Sequence, residues 1–180
     1  MRNEKTKTLI TLSLFAAIVI VLQIVATFIN LGGFPITLTL VPIIIAGAIY
    51  GIPTGTFLGF IFGVVVSAMV ITGADPSGAT MLATHPIITI TACLLKGALA
   101  GFVSALAFQK IENKKLAIVA AAALAPIVNT GTLYIALILF FDASFAMMIG
   151  AFMSINFIIE LLINVLLAPG LLRIVNMRKK

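Results

Sequence analysis

The sequence predicts an all-α integral membrane protein, one compact bundle of six transmembrane helices with N- and C-termini in the cytoplasm. Three observations carry that expectation. Residues are 62% hydrophobic and 9% charged with a mean hydropathy of +1.29, well outside soluble-domain composition. Six apolar runs alternate with short stretches of turn-forming or charged residues. Nine of the eleven Lys and Arg residues gather in three places, the opening Arg2–Lys7, the connection Lys110–Lys115 and the tail Asn176–Lys180. An even number of spans puts all three on one side, and an excess of Lys and Arg marks that side as cytoplasmic. The net charge of +6 therefore reads as topology rather than as a nucleic-acid surface. With 180 residues and so little polar sequence, residues 1–180 form a single domain with no appended soluble part.

The first run, Thr8–Ile29, is too long for a signal-peptide core and lacks a small-residue cleavage site, so it is a retained span. Asn30-Leu-Gly-Gly-Phe-Pro35 ends it. The second run, Ile36–Tyr50, is only about 22 Å long as a helix and carries Pro42 near its start. A tight turn is expected over Gly51–Thr54, and the third span over Gly55–Ile71. Glycines at 47, 51, 55, 59 and 63 recur every four residues through this hairpin, a spacing that lets helix backbones approach closely.

Thr72–His85 has turn formers and no long apolar run, and reads as the longest loop. Pro86 suits the first turn of the fourth span, Pro86–Gln109. The fifth span, Leu116–Phe141, contains Pro126, with Asn129 placed to answer a carbonyl freed by the proline. Asp142–Ser144 turns the chain into the sixth span, Phe145–Val175.

Lys96 lies in the middle of an apolar run. A charge there costs at least ~2.5–3.5 kcal/mol and is tolerated facing a bundle interior or polar cavity. Gly97, Gly101 and Ala105 give its helix a second, smooth face for close packing. At a rise of ~1.5 Å per residue, Lys96, Asn129 and Asn156 fall at nearly one depth below the outer surface. Glu160 and Asn164 continue a polar stripe from Asn156 at four-residue spacing. Two readings stand together. In one, the group forms a solute pocket open to the outside, with Lys96 on an anionic group and Asn129 and Asn156 on an amide or hydroxyl. In the other, Lys96 and Glu160 form a buried ion pair that fixes two helices, and Asn164 is interhelical glue. His85, Tyr134, Phe34 and Asn30 are further candidates at the pocket mouth, with Gln23 reaching in from the first span. His85 has no metal-ligand partners at sensible spacing, and no metal or cofactor is expected. The lone Cys93 reads as a packing residue. No Gly-x-x-x-x-Gly-Lys-Ser/Thr loop is present, so ATP hydrolysis by this chain alone is not expected. No hydrolase constellation appears either, which leaves binding and transport.

Pro35-Ile-Thr-Leu-Thr-Leu-Val-Pro42, Ala46-Gly-Ala-Ile-Tyr-Gly51, Gly59-Phe-Ile-Phe-Gly63 and Leu95-Lys-Gly-Ala-Leu-Ala-Gly101 resemble the S component of energy-coupling factor (ECF) vitamin transporters over essentially the whole chain. The resemblance implies a vitamin-binding subunit of an ABC-type importer in the prokaryotic plasma membrane. Its partners would be a transmembrane coupling protein and two cytoplasmic ATPases. It also implies an outward pocket built by the last three spans and two loops. A small-residue docking pattern on the first span is matched by Ser13-Leu-Phe-Ala-Ala17, with serine in the first position.

The chain has no tryptophan, which disfavours an aromatic pocket stacking on a thiamine-like cation. A lysine beside asparagines suits a carboxylate carrying amides and hydroxyls, so pantothenate leads. Two other classes stay open: a self-sufficient secondary transporter with Glu160 as proton site, and a membrane enzyme or scaffold without a solute.

Overall fold

The computed structural model describes residues 2–26, 28, 30–31, 34–35 and 38–178. Among them are seven helices: α1 (Arg2–Ala26), α2 (Leu40–Tyr50), α3 (Ile52–Thr72), α4 (Pro76–Thr84), α5 (Pro86–Lys110), α6 (Lys114–Phe140) and α7 (Ala143–Arg178). A minimal antiparallel hairpin of β1 (Asn30–Leu31) and β2 (Phe34–Pro35) joins α1 to α2, and β2 lies against α7.

Five helices, α1, α3, α5, α6 and α7, are long and apolar enough to cross a membrane. The second expected span is shorter than the sequence suggests. Its helix starts at Leu40, with Leu38 and Thr39 before it not helical and Ile36 outside the described residues, and its 11 residues make about 16 Å of helix, against ~30 Å of bilayer hydrocarbon. It is an interior element, with every residue from Pro42 to Ala48 buried between α1, α3, α5, α6 and α7. By contrast α1 is mostly exposed, with Leu9 and Ile10 each 65% accessible. Apolar side chains also cover the outside of the other long helices, as at Ile138 and Leu166. An apolar exterior over an interior carrying Gln23, Asn129, Glu160 and Asn164 is the arrangement a lipid solvent requires.

Two boundaries differ from expectation. The turn expected over Gly51–Thr54 shrinks to Gly51 alone. Its φ of 97° is open to glycine and strained for other residues, and Pro53 then sits in the first turn of α3. The region Thr72–His85 is not one long loop, because it holds α4. Asp75 caps α4 by accepting a hydrogen bond from the Gly78 N–H at 3.0 Å, and Pro76 follows at the helix start. Asp at the N-cap and Pro at the next position initiate a helix as effectively as they break one.

The packing that organises the bundle is a glycine seam between α3 and α5. A Cβ placed on Gly59 would lie 2.1 Å from the Gly97 carbonyl oxygen, and one on Gly97 would lie 2.2 Å from that of Gly59. Gly101 and Gly55 face each other likewise, with 2.0 Å from a Gly101 Cβ to the Gly55 oxygen. Gly63 completes the row against the Cys93 carbonyl, and Gly47 brings α2 onto Ala105. Glycine runs recognisable on separate segments are thus each other's partners.

At one end of the bundle Phe15 of α1 meets Tyr50 edge to face, with ring centroids 6.5 Å apart. Gly51 lies beside Gln109 there, and Lys114 sits over the Phe108 ring. The α2–α3 turn and the basic α5–α6 connection therefore share that end. Asn113 caps α6 there, accepting from the N–H groups of Lys115 and Leu116.

Backbone-to-backbone contact leaves no space for a side chain, and overpacking costs typically ~1–3 kcal/mol or more. Gly59→Val and Gly97→Val are expected to lower the thermal midpoint and the folded yield in detergent. Gly131, whose Cβ would meet nothing within 4 Å, is the control. Gly131→Ala should be neutral or stabilising by up to ~1 kcal/mol, as read from the same melting curves.

Candidate functional site

Beside the seam, between α3 and the pair α6–α7, the bundle encloses a hollow with about 710 Å³ of atom-free space, its open side included. Every described helix except α2 contributes to it. From α5 come Thr89, Cys93 and Lys96, spaced by four and three residues and so stacked on one side of the helix. From α7 come Met153, Asn156 and Glu160, and from α6 Asn129, Thr130 and Leu133. Phe62, Val66, Met69 and Val70 of α3 form the apolar wall. Asp75, Gly78 and Met81 bring the start of α4 across it, and Gln23 enters from α1.

Lys96, Asn129, Asn156 and Glu160 thus line one space. The ammonium Nζ of Lys96 lies 5.8 Å from the centroid of the Phe62 ring, a favourable position for a cation over a π face. Glu160 is 1% exposed and Asn129 6%. Among the described residues the buried Asn129 Oδ1 atom has no hydrogen-bond partner, a deficit of ~1–3 kcal/mol that a donor on a bound solute would remove. Gln23 is fixed by the Thr39 hydroxyl, which donates to its Oε1 at 3.0 Å, and its amide nitrogen lies 3.8 Å from the Met69 sulfur.

Asp75 belongs to the stretch expected as a loop, yet it caps α4. It is 7% exposed and faces the hollow. Burial pushes its carboxyl above the usual carboxylate range, opposed by the Gly78 hydrogen bond, the Lys96 charge and the Ser77 backbone. The legible signal was Asp75-Pro76 as a helix start. Thr89 and Thr130, not among the residues expected from the sequence, also line the hollow, and Thr89 lies seven residues, two helical turns, before Lys96.

Other candidates stand elsewhere. His85 joins α4 to α5 and packs edge-on against Phe141, centroids 4.9 Å apart, with Phe145 stacked on Phe141's other side. It does not line the hollow. The Tyr134 hydroxyl is taken up by the Gly150 carbonyl and the Ser154 hydroxyl, tying α6 to α7. Asn164 is fully buried, but its amide donates to the Glu160 carbonyl within the same helix at 2.8 Å, so that bond is not interhelical. Asn30 and Phe34 pair with Pro35 and Leu31 in the hairpin; their side chains, and Gly32 and Gly33 entirely, lie outside the described residues. Ser13 and Ala17 sit on the exposed face of α1, with the Ser13 hydroxyl donating to the Leu9 carbonyl at 3.0 Å.

The arrangement can bind, because one cation, amide and hydroxyl groups and an apolar wall converge on one space. A model of the family described as "ECF transporter, substrate-specific component" matches residues 7–172. The chain is also similar to the pantothenic acid transporter PanT of Lactococcus lactis subsp. cremoris, 29% identical over 95% of this chain and 94% of that protein. With nearly its whole length matched and its helices enclosing a polar hollow, this multi-pass membrane protein belongs to the ECF transporter substrate-specific component family.

Proposed function

We propose that the chain is the pantothenate-binding S component of an ECF importer in the cell membrane, and that the hollow is its solute site. The observation that carries the reading is the convergence of Lys96 with the unpartnered Oδ1 of Asn129 in a space walled on one side by α3. Pantothenate offers one carboxylate, one amide and two hydroxyls. The carboxylate suits the ammonium of Lys96, and a hydroxyl or the amide N–H suits Asn129. Thr89, Thr130, Asn156 and Gln23 supply further polar contacts, and the gem-dimethyl carbon suits Val66, Met69 and Leu133. The similarity to a pantothenic acid transporter supports the same solute.

Energy for uptake comes, in this reading, from a separate module of a transmembrane coupling protein and two cytoplasmic ATPases. The exposed face of α1 carrying Ser13 and Ala17 is the proposed docking stripe, and the end of the bundle with Lys110, Lys114 and Lys115 is the cytoplasmic end. Asn30 and Phe34, on the hairpin between α1 and α2, are proposed to meet the solute at the mouth. For His85 and Tyr134 the contacts above favour roles in packing α4–α7.

A charged hydrogen bond is worth ~1.5–3 kcal/mol, so Lys96→Ala should weaken pantothenate binding by about 10- to 150-fold by calorimetry on purified protein. Unchanged affinity would remove Lys96 from the site. Cys93 is the chain's single cysteine and lines the hollow. Its alkylation by a small maleimide is expected to slow severalfold when pantothenate is present, as followed by intact-protein mass spectrometry. Cells dependent on external pantothenate should accumulate it only when this chain is expressed with an energising module.

A further inference from the structure

The hollow holds one cationic side chain, Lys96, and two carboxyl side chains, Asp75 and Glu160. Its charge is therefore ill suited to an anion unless one carboxyl is protonated. Asp75 is the carboxyl with a fixed anchor. Its carboxylate is anchored to α4 by the capping bond from the Gly78 N–H at 3.0 Å. Gly78 in turn has no room to shift toward α3, since a Cβ on it would lie 2.4 Å from Val70. The acid thus lines the same hollow as Lys96, whose charge acts on it, and among the described residues no ion pair joins the two. A solute carboxylate that reaches Lys96 therefore enters a hollow that already holds Glu160 and the capped carboxyl of Asp75.

We infer that Asp75 is the proton acceptor that accompanies an anionic solute into the hollow: as the solute carboxylate engages Lys96, a proton from the external water binds the Asp75 carboxylate, and solute and proton are held together. The charge arithmetic closes, because the solute brings one negative charge and the proton one positive charge. Burial already favours the neutral acid, and Lys96 is among the groups that oppose it. Once a bound carboxylate offsets the lysine, that opposition falls and the proton affinity of Asp75 rises. Around Asp75, the linings from α1, α3 and α6 contribute no ionisable side chain to the hollow, α5 contributes Lys96 and Cys93, and α7 contributes Glu160. The inference rests on the hollow being the site of an anionic solute.

Linkage gives the sign. Above the pKa of the solute-free Asp75, binding must draw in a proton, so affinity falls as pH rises, by up to about tenfold per pH unit. The test is calorimetric titration of the purified full-length protein with pantothenate at about pH 6 and about pH 8, in buffers of different ionisation enthalpy, which counts protons taken up. Wild type is expected to take up as much as about one proton per pantothenate, and none with pantothenyl alcohol, which lacks the carboxylate. Asp75→Asn keeps the capping side chain, since Asn caps as well as Asp. It should bind pantothenate about tenfold or more tighter than wild type near pH 8, without proton uptake. Glu160→Gln should retain the uptake. Binding without proton uptake in wild type overturns the inference alone. Uptake that survives Asp75→Asn and vanishes in Glu160→Gln moves the proton to Glu160 and overturns it too. Weaker binding by Asp75→Asn near pH 8 would make Asp75 a hydrogen-bond partner of the solute and would equally overturn its role as proton acceptor. Failure of wild type to bind pantothenate would overturn the proposed solute and this inference together.

Discussion

Carbonyl oxygens of one helix press directly on the α-carbons of another where α3 and α5 cross, and the rest of the bundle is arranged around that contact. In lipid there is little hydrophobic force between helices, because the surrounding chains are as apolar as leucine, so close van der Waals packing takes a larger share. Gly55, Gly59 and Gly63 on α3 and Gly97 and Gly101 on α5 remove the side chains that would hold the axes apart. Phe62 and Lys96, each next to a seam glycine, then emerge on the same flank. The hollow lies on that flank.

The short α2 serves the same geometry from the other side. Buried along most of its length, it fills the space between α1, α3, α5, α6 and α7, while Gly51 turns the chain within one residue so that α3 can start at once. Above the hollow, α4 is fastened twice, by the Asp75 cap and by the contact of Gly78 with Val70. A roof element built from a capped nine-residue helix brings an acid into the site at a defined position, which a slack loop would not do. The three methionines at 69, 81 and 153 that line the same space are unbranched and adaptable, so the walls can conform to a solute without disturbing the seam.

Charge is sparse in this chain, and its interior placement is correspondingly informative. Lys96, Asp75 and Glu160 are gathered into one hollow, while Lys110, Lys114 and Lys115 stay at a bundle end. One cation and two carboxyls among the described lining residues make the charge balance of the neighbouring acids decisive for the proposed carboxylate site.

Composition and periodicity alone determined the membrane class, the positions of the long apolar helices, the four-residue glycine spacing and the grouping of Lys96, Asn129 and Asn156 by depth. These follow from local rules: hydrocarbon demands apolar surface, and helical rise converts residue number into depth. Tertiary structure decided what depth cannot, namely which way each side chain turns. It paired the two glycine runs with each other and turned His85 onto Phe141. It also drew the Tyr134 hydroxyl between α6 and α7, and folded the residues after Thr72 into α4 so that Asp75 lines the same hollow as Lys96. Those outcomes depend on contacts between segments far apart in the chain, and a linear pattern carries spacing along one helix but not the angle at which a second helix meets it.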